Sequence, residues 1–112
     1  MTIKRVYEKP VKEDGFRILV DRLWPRGLTK RKAHVHLWLK DIAPSTKLRQ
    51  WFGHDPSKWK KFQALYLKEL KKNKSAARLL RNVIQHHAVV TLVYGAKDEA
   101  HNNAVILKKF LK

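Results

Sequence analysis

The stretch His87-Ala88-Val89-Val90-Thr91-Leu92-Val93-Tyr94 is apolar over nearly its whole length. A strand with one wet face would alternate; this run has no polar face to turn to water. It therefore fits a central strand covered on both sides, as in a parallel sheet between helices. The flanking segments supply the covering layers. Ser75 is placed to cap a helix that turns Leu79, Leu80, Val83 and Ile84 inward. Before it, a helix reaching to about Lys72 carries Trp59, Phe62, Tyr66 and Leu70 on one stripe, with most of its lysines opposite. Asp55-Pro56 reads as its start, a capping carboxylate followed by proline at the first helical position. Ser45 caps a shorter helix through Trp51-Phe52, ended by Gly53. Downstream, Tyr94-Gly95 leads through a loop to a closing helix from about His101 to Leu111.

Toward the N-terminus, Thr2 to Tyr7 and Phe16 to Asp21 read as strands, with Lys9-Pro10 and Asp14-Gly15 marking the connection as turn or loop. That connection is shorter than the dozen or so residues of a usual parallel crossover, so an antiparallel hairpin or an irregular edge pairing is expected. From His34 to Leu39, Val35, Leu37 and Leu39 alternate with His36 and Trp38, which predicts a third strand. Strands joined by helices give an α/β fold: a small, mostly parallel sheet flanked by helices in a three-layer, Rossmann-like arrangement. If the second, third and fourth strands run parallel, Asp21-Arg22, Lys40-Asp41 and Tyr94-Gly95 leave the sheet at one edge, where such folds bind ligands. There is no internal repeat or low-complexity linker.

Composition narrows the function classes. At 112 residues and 44% apolar content the chain predicts one domain, residues 1–112, and not two. No apolar run approaches the roughly 18 residues of a membrane span, and Met1-Thr2-Ile3-Lys4-Arg5 leads into strand-like residues, so a cytoplasmic protein without membrane contact is expected. With no cysteine, disulfides, zinc-thiolate sites and thiol nucleophiles are excluded. The 26 Lys and Arg against 9 Asp and Glu, a net charge of +17, point to a polyanionic partner such as nucleic acid. Lysines on solvated helix faces, there for solubility, are the plainer explanation.

The segment Asp21-Arg22-Leu23-Trp24-Pro25-Arg26-Gly27 carries more polar chemistry than a strand exit needs. Arg22 and Arg26 can each grip a phosphate or carboxylate in a bidentate fork, Trp24 offers a face to a base or ring, and Gly27 lets the backbone approach closely. The structural alternative pairs Asp21 with an arginine and packs Trp24 into the core. After Tyr94, a loop leads to a helix N-terminus that attracts anions, with Lys97 and His101 adding positive charge. Asp98 and Glu99 compete there, since a carboxylate can cap the same helix; Asn102 and Asn103 can bond a ligand or a neighbouring loop. His34 and His36 would share a strand face, but no third metal ligand has diagnostic spacing, so no metal site and no cofactor is expected. His54-Asp55-Pro56 is explained by helix capping, and Trp51, Phe52, Trp59 and Tyr66 by the core.

The segments DGFRILVDRLWPRGL, WLKDIAPSTKLRQWFGHDP, FQALYLKEL and VTLVYGAKDEAHNNAVILKKFL resemble, over nearly the whole chain, the YeaO-like proteins of the domain-of-unknown-function family 488. The family brings no established substrate. More distantly the chain is similar to the rhodanese and cysteine-phosphatase superfamily, which implies a rhodanese-like variant of the three-layer fold. In that comparison Tyr94 falls near the nucleophile position and Gly95 to Ala100 replaces the anion loop. Without cysteine, sulfur transfer and thiol-phosphate chemistry cannot occur.

Three functions follow as expectations. The first is a noncatalytic binding domain holding a phosphate-bearing ligand, a nucleotide or a nucleic-acid end, through Asp21, Arg22, Trp24, Arg26, Gly27, Tyr94, Lys97, Asp98, His101 and Asn102. The second is an enzyme with Asp21 as general base, Arg22 and Arg26 stabilising an anionic transition state, and Tyr94 or His101 exchanging protons. The third is a sequence-independent nucleic-acid surface binder acting through the basic helices. The sequence leaves oligomeric state undetermined.

Overall fold

The computed structural model describes residues 1–112. Its strands β1 (Thr2–Arg5), β2 (Phe16–Leu19), β3 (Leu37–Trp38) and β4 (Val90–Tyr94) form one sheet in the order β1-β4-β2-β3, every neighbouring pair parallel. The apolar run is the reason for this order. β4 is buried at all five positions and lies between β1 and β2, with Leu92 opposite both Ile3 and Ile18. The helices are α1 (Lys30–Ala33), α2 (Thr46–Phe52), α3 (Trp59–Lys72), α4 (Lys74–Gln85) and α5 (Asn103–Leu111).

Alternation along the strands divides the interior. Ile18, Val20, Val90, Leu92 and Tyr94 face a large core closed by α2 to α5, including Phe52, Phe62, Tyr66, Leu80 and Leu107. Leu19 and Val93 face the other side, where Val6 and Ala33 of α1 cover them with Trp24, Leu28 and Trp38 packed around. The result is the expected three-layer α/β arrangement, with a thick helical layer and a thin one. No helix is long and apolar enough to cross a membrane.

The expected hairpin between the first two strands does not form. β1 and β2 both pair in parallel with β4, and Val6 to Gly15 crosses over through a single 3-10 turn at Lys12–Asp14. Ten residues can span roughly 33 Å when extended, ample to return along a four-residue strand without a crossover helix. Gly15 closes the crossing: its φ is +66°, and a Cβ there would lie 2.4 Å from the Val89 carbonyl oxygen. Asp14 anchors it. Its carboxylate accepts from Lys4 Nζ at 3.1 Å and Arg17 Nη1 at 2.7 Å, while Arg17, 1% exposed, also donates to the Ala33 and His34 carbonyls.

Other boundaries shift for local reasons. The third strand shrinks to Leu37–Trp38 because α1 ends at His34, a left-handed residue with φ +49°; His34 and His36 therefore do not share a strand face. His36 Nδ1 instead accepts from the Arg17 N–H at 3.0 Å. Asn73, not Ser75, caps α4, and Leu79 is 48% exposed instead of inward. Ser45 and Asp55 cap as expected, and Gly53 ends α2 with φ +52°. Asn102 caps α5, which begins at Asn103 and not His101.

Candidate functional site

Beyond the carboxyl ends of β2 and β4 the chain opens a crevice of about 600 Å³. Its base is Asp21. The last sheet bond on this side runs from Val20 N–H to the Val93 carbonyl, after which β2 leaves the sheet. Trp38 Nε1 donates to the Asp21 carbonyl at 2.8 Å and fixes the backbone there. The carboxylate turns toward β4: Oδ2 accepts from Gly95 N–H at 2.7 Å and Oδ1 from Asn103 Nδ2 at 3.2 Å. The approach is close at Gly95, where a Cβ would sit 3.2 Å from Asp21 Oδ2 and press on the carboxylate. Burial raises the Asp21 pKa above its ordinary 3.8, against the opposing pull of the Gly95 N–H, the Asn103 amide, and the charges of His54 and Arg49. No arginine forms an ion pair with it, so the structural alternative of an Asp21–arginine pair does not hold.

The residues singled out in the sequence divide into walls and supports. Asp21, Arg22, Trp24, Lys97, Asp98 and Asn102 line the crevice. Arg22, however, spends its guanidinium on the chain itself: Nε donates to the Pro44 carbonyl at 3.0 Å and Nη2 to that of Ala43 at 3.2 Å. It staples the exit of β2 to the segment entering α2. Trp24 donates from Nε1 to the Leu28 carbonyl and meets Trp38 edge-on at 5.3 Å, so its ring serves both the wall and the thin-side core. Arg26 is exposed and outside the crevice; its carbonyl accepts from the Tyr7 hydroxyl. Gly27, φ +83°, shapes the turn beyond it. Tyr94 is 2% exposed and faces the helical core, its pKa raised by burial first and then by Glu99 and Glu8.

The loop after β4 fills its own donors. Asp98 Oδ1 accepts from the Ala100 and His101 N–H groups, and Oδ2 meets His101 Nδ1 at 2.8 Å; the bond to His101 leads the effects that lower the Asp98 pKa below 3.8. Asn102 accepts from Val105 N–H and donates to the Asp98 carbonyl. His101 lies outside the crevice, edge-on to Trp59 at 5.1 Å. The competing carboxylate noted in the sequence thus closes the turn before α5, while Asn102 caps the helix itself. No group of three His, Asp or Glu is placed to hold a metal ion.

Arg49 and His54 were not among the expected site residues. Both line the crevice from α2 and the turn after it, beside Phe52 and Phe62. The Arg49 Nε is buried with no hydrogen-bond partner, and its guanidinium joins no ion pair. His54 has φ +57°, following Gly53 at +52°, and these two left-handed residues turn the chain so that His54 joins the crevice wall. The sequence carried a faint signal. Arg49 stands between the inward Leu48 and Phe52, at the border of the helix's buried stripe, where a long cation is out of place unless it has a task. Asn103, read as a partner for a ligand or a neighbouring loop, is the side chain that ties Asp21 to α5.

Comparison with known proteins identifies the family. The family model described as "Inactive DUF488-N3 subclade" matches residues 1–112. An uncharacterised protein of Mycobacterium tuberculosis is 38% identical over 109 residues, covering 97% of this chain and 91% of its own. The uncharacterised protein YeaO of Escherichia coli is likewise 38% identical over 109 residues, 97% of this chain and 94% of its own. No solved structure matches. The chain therefore belongs to the DUF488 family, in its inactive N3 subclade and among the YeaO-like proteins.

Proposed function

We propose that this protein is a noncatalytic binding domain that holds a phosphate-bearing small molecule, a nucleotide being the fitting class, in the crevice over Asp21. One observation carries the reading: Arg49 presents a guanidinium with no internal partner in the wall of a partly enclosed cavity, joined there by Lys97 and His54. A buried donor without an acceptor is unfavourable by about 1–3 kcal/mol, which an anionic oxygen would recover. Phe52 and Trp24 supply apolar faces for a ring, and Asp21 can accept from a ligand hydroxyl or amine. Asp21 and Arg49 together favour a zwitterionic set of contacts over a bare inorganic anion.

The same placement weakens the catalytic alternative. Arg22 is engaged with carbonyls, and Arg26, Tyr94 and His101 lie outside the crevice, so the proton donors and anion clamps of that scheme do not converge on Asp21. The description of the subclade as inactive agrees. A likeness to rhodaneses and cysteine phosphatases belongs to this reading as ancestry: an anion-binding edge kept after its thiol chemistry was lost. So does a cytoplasmic setting, where nucleotides are plentiful.

Calorimetric titration with nucleoside monophosphates tests the reading. Saturable binding, weakened on the order of 10- to 100-fold in Arg49→Ala by loss of a charge-assisted hydrogen bond, is expected. Binding that is absent, or unchanged in Arg49→Ala, contradicts it.

A further inference from the structure

A second feature lies on the other side of α2. Between Asp55 and Asp98 the chain has a single acidic residue, Glu69, against ten lysines and arginines. Glu69 borders the same lysines on α3, but its carboxylate is engaged: it accepts from the Ser45 N–H at 2.8 Å and the Ser45 hydroxyl at 2.6 Å. Across the molecule only Lys4 and Arg17 of the 26 basic side chains form ion pairs, both with Asp14. A solubility surface normally intersperses both signs. Here one face does not.

That face contains a groove of about 480 Å³ between α2 and α3. Lys61, Lys68 and Lys72 border it from one stripe of α3, at spacings of seven and four residues, and Lys47 faces them from α2. At its end stands Trp51. The indole is half-buried, with Lys58 Nζ 5.0 Å and Lys61 Nζ 5.7 Å from the ring centroid. Lys58 is fixed by donating to the Trp51 carbonyl, whereas Lys61 is free to leave the ring for a phosphate. The neighbouring aromatics Phe52, Phe62 and Tyr66 are buried in the core, and Trp59, partly exposed as well, lies against His101 and outside the groove, so Trp51 is the ring that this groove presents.

We propose that the groove between α2 and α3 binds single-stranded nucleic acid, its lysines holding successive phosphates and the Trp51 indole stacking on a base. Charge complementarity identifies a polyanion, and the aromatic ring among the lysines favours unpaired bases over duplex, whose bases are already stacked. An anionic bilayer is the competing occupant, and the vesicle arm of the test separates the two. The site is separate from the crevice, since α2 turns Arg49 and Phe52 to one side and Lys47 and Trp51 to the other.

Fluorescence anisotropy with labelled oligothymidylate, across a salt series, tests the proposal on the full chain. Removing a phosphate contact lowers the log-affinity against log-salt slope by about 0.7 for a single strand. The variant Lys61→Ala/Lys68→Ala/Lys72→Ala is therefore expected to flatten the slope by about 2 and Trp51→Leu to weaken binding on the order of tenfold. Trp51→Phe, which keeps a ring, should retain most of the affinity. The charge-matched control is Lys30→Ala/Arg31→Ala/Lys32→Ala in α1, on the opposite face of the sheet. Equal losses in both triple variants, preference for duplex, or binding confined to anionic lipid vesicles would overturn the proposal.

Discussion

Two carboxylates, Asp14 and Asp21, leave water with opposite consequences. At Asp14 burial disfavours the charge, but the Val11 N–H and the bonds from Lys4 and Arg17 outweigh it and hold the pKa below 3.8. Stability from Asp14 is thus present above pH 3.8 and lost as pH falls through the lower folded value. Asp14→Ala leaves Arg17 buried without its counter-charge, and we expect a loss of about 3–5 kcal/mol in urea unfolding at pH 7. At Asp21 burial prevails and the pKa is raised. Its contribution is fully present below pH 3.8, where the group is protonated in both states, and is lost as pH rises through the folded value. Asp21→Asn should therefore gain stability relative to the natural protein as pH rises from 3.8, then level off; a constant difference across that range would show an unshifted carboxyl. Neither sign was legible in the sequence, because both depend on which donors the fold brings across the sheet.

At the scale of elements, side chains that act on their own turn were readable. Ser45 and Gly53 bound α2, and Asp55-Pro56 opens the turn before α3, for reasons confined to a few residues. Pairings across the fold were not. The β1–β2 connection looked too short for parallel strands because length was judged against a helical crossover; one 3-10 turn and the close approach at Gly15 suffice. Gly15→Ala forces both a left-handed alanine and a clash with Val89, and should cost more than about 1 kcal/mol, seen as a lowered thermal midpoint. Glu69 joins two elements through Ser45, receiving bonds from its N–H and hydroxyl. Ser45→Ala should cost about 1 kcal/mol. Because Glu69→Ala removes an acceptor from the same pair, the double variant should lose less than the sum of the singles, which a double-mutant cycle reads directly.

For the whole molecule, the apolar run that became β4 determined the layers and hence where a ligand site would open. The crevice lies at the carboxyl edge, between the exits of β2 and β4, as the strand order requires. The loop from Asp21 to Gly27 was legible as unusual, but its tasks were not: Asp21 is the floor, Arg22 a staple, Trp24 a wall, and Arg26 lies outside. The cation facing the cavity comes from α2, about thirty residues further on, and only the folded chain brings Arg49 beside Asp21. Recognition through Arg49 is the central claim, and amide chemical-shift mapping during titration with a nucleoside monophosphate tests it most directly. The account predicts that the largest saturable shifts cluster at Arg49–His54 and Gly95–Asp98 and need on the order of 10- to 100-fold more ligand in Arg49→Ala. Shifts concentrated instead on the lysines of α3 and α4, or none at all, would contradict it.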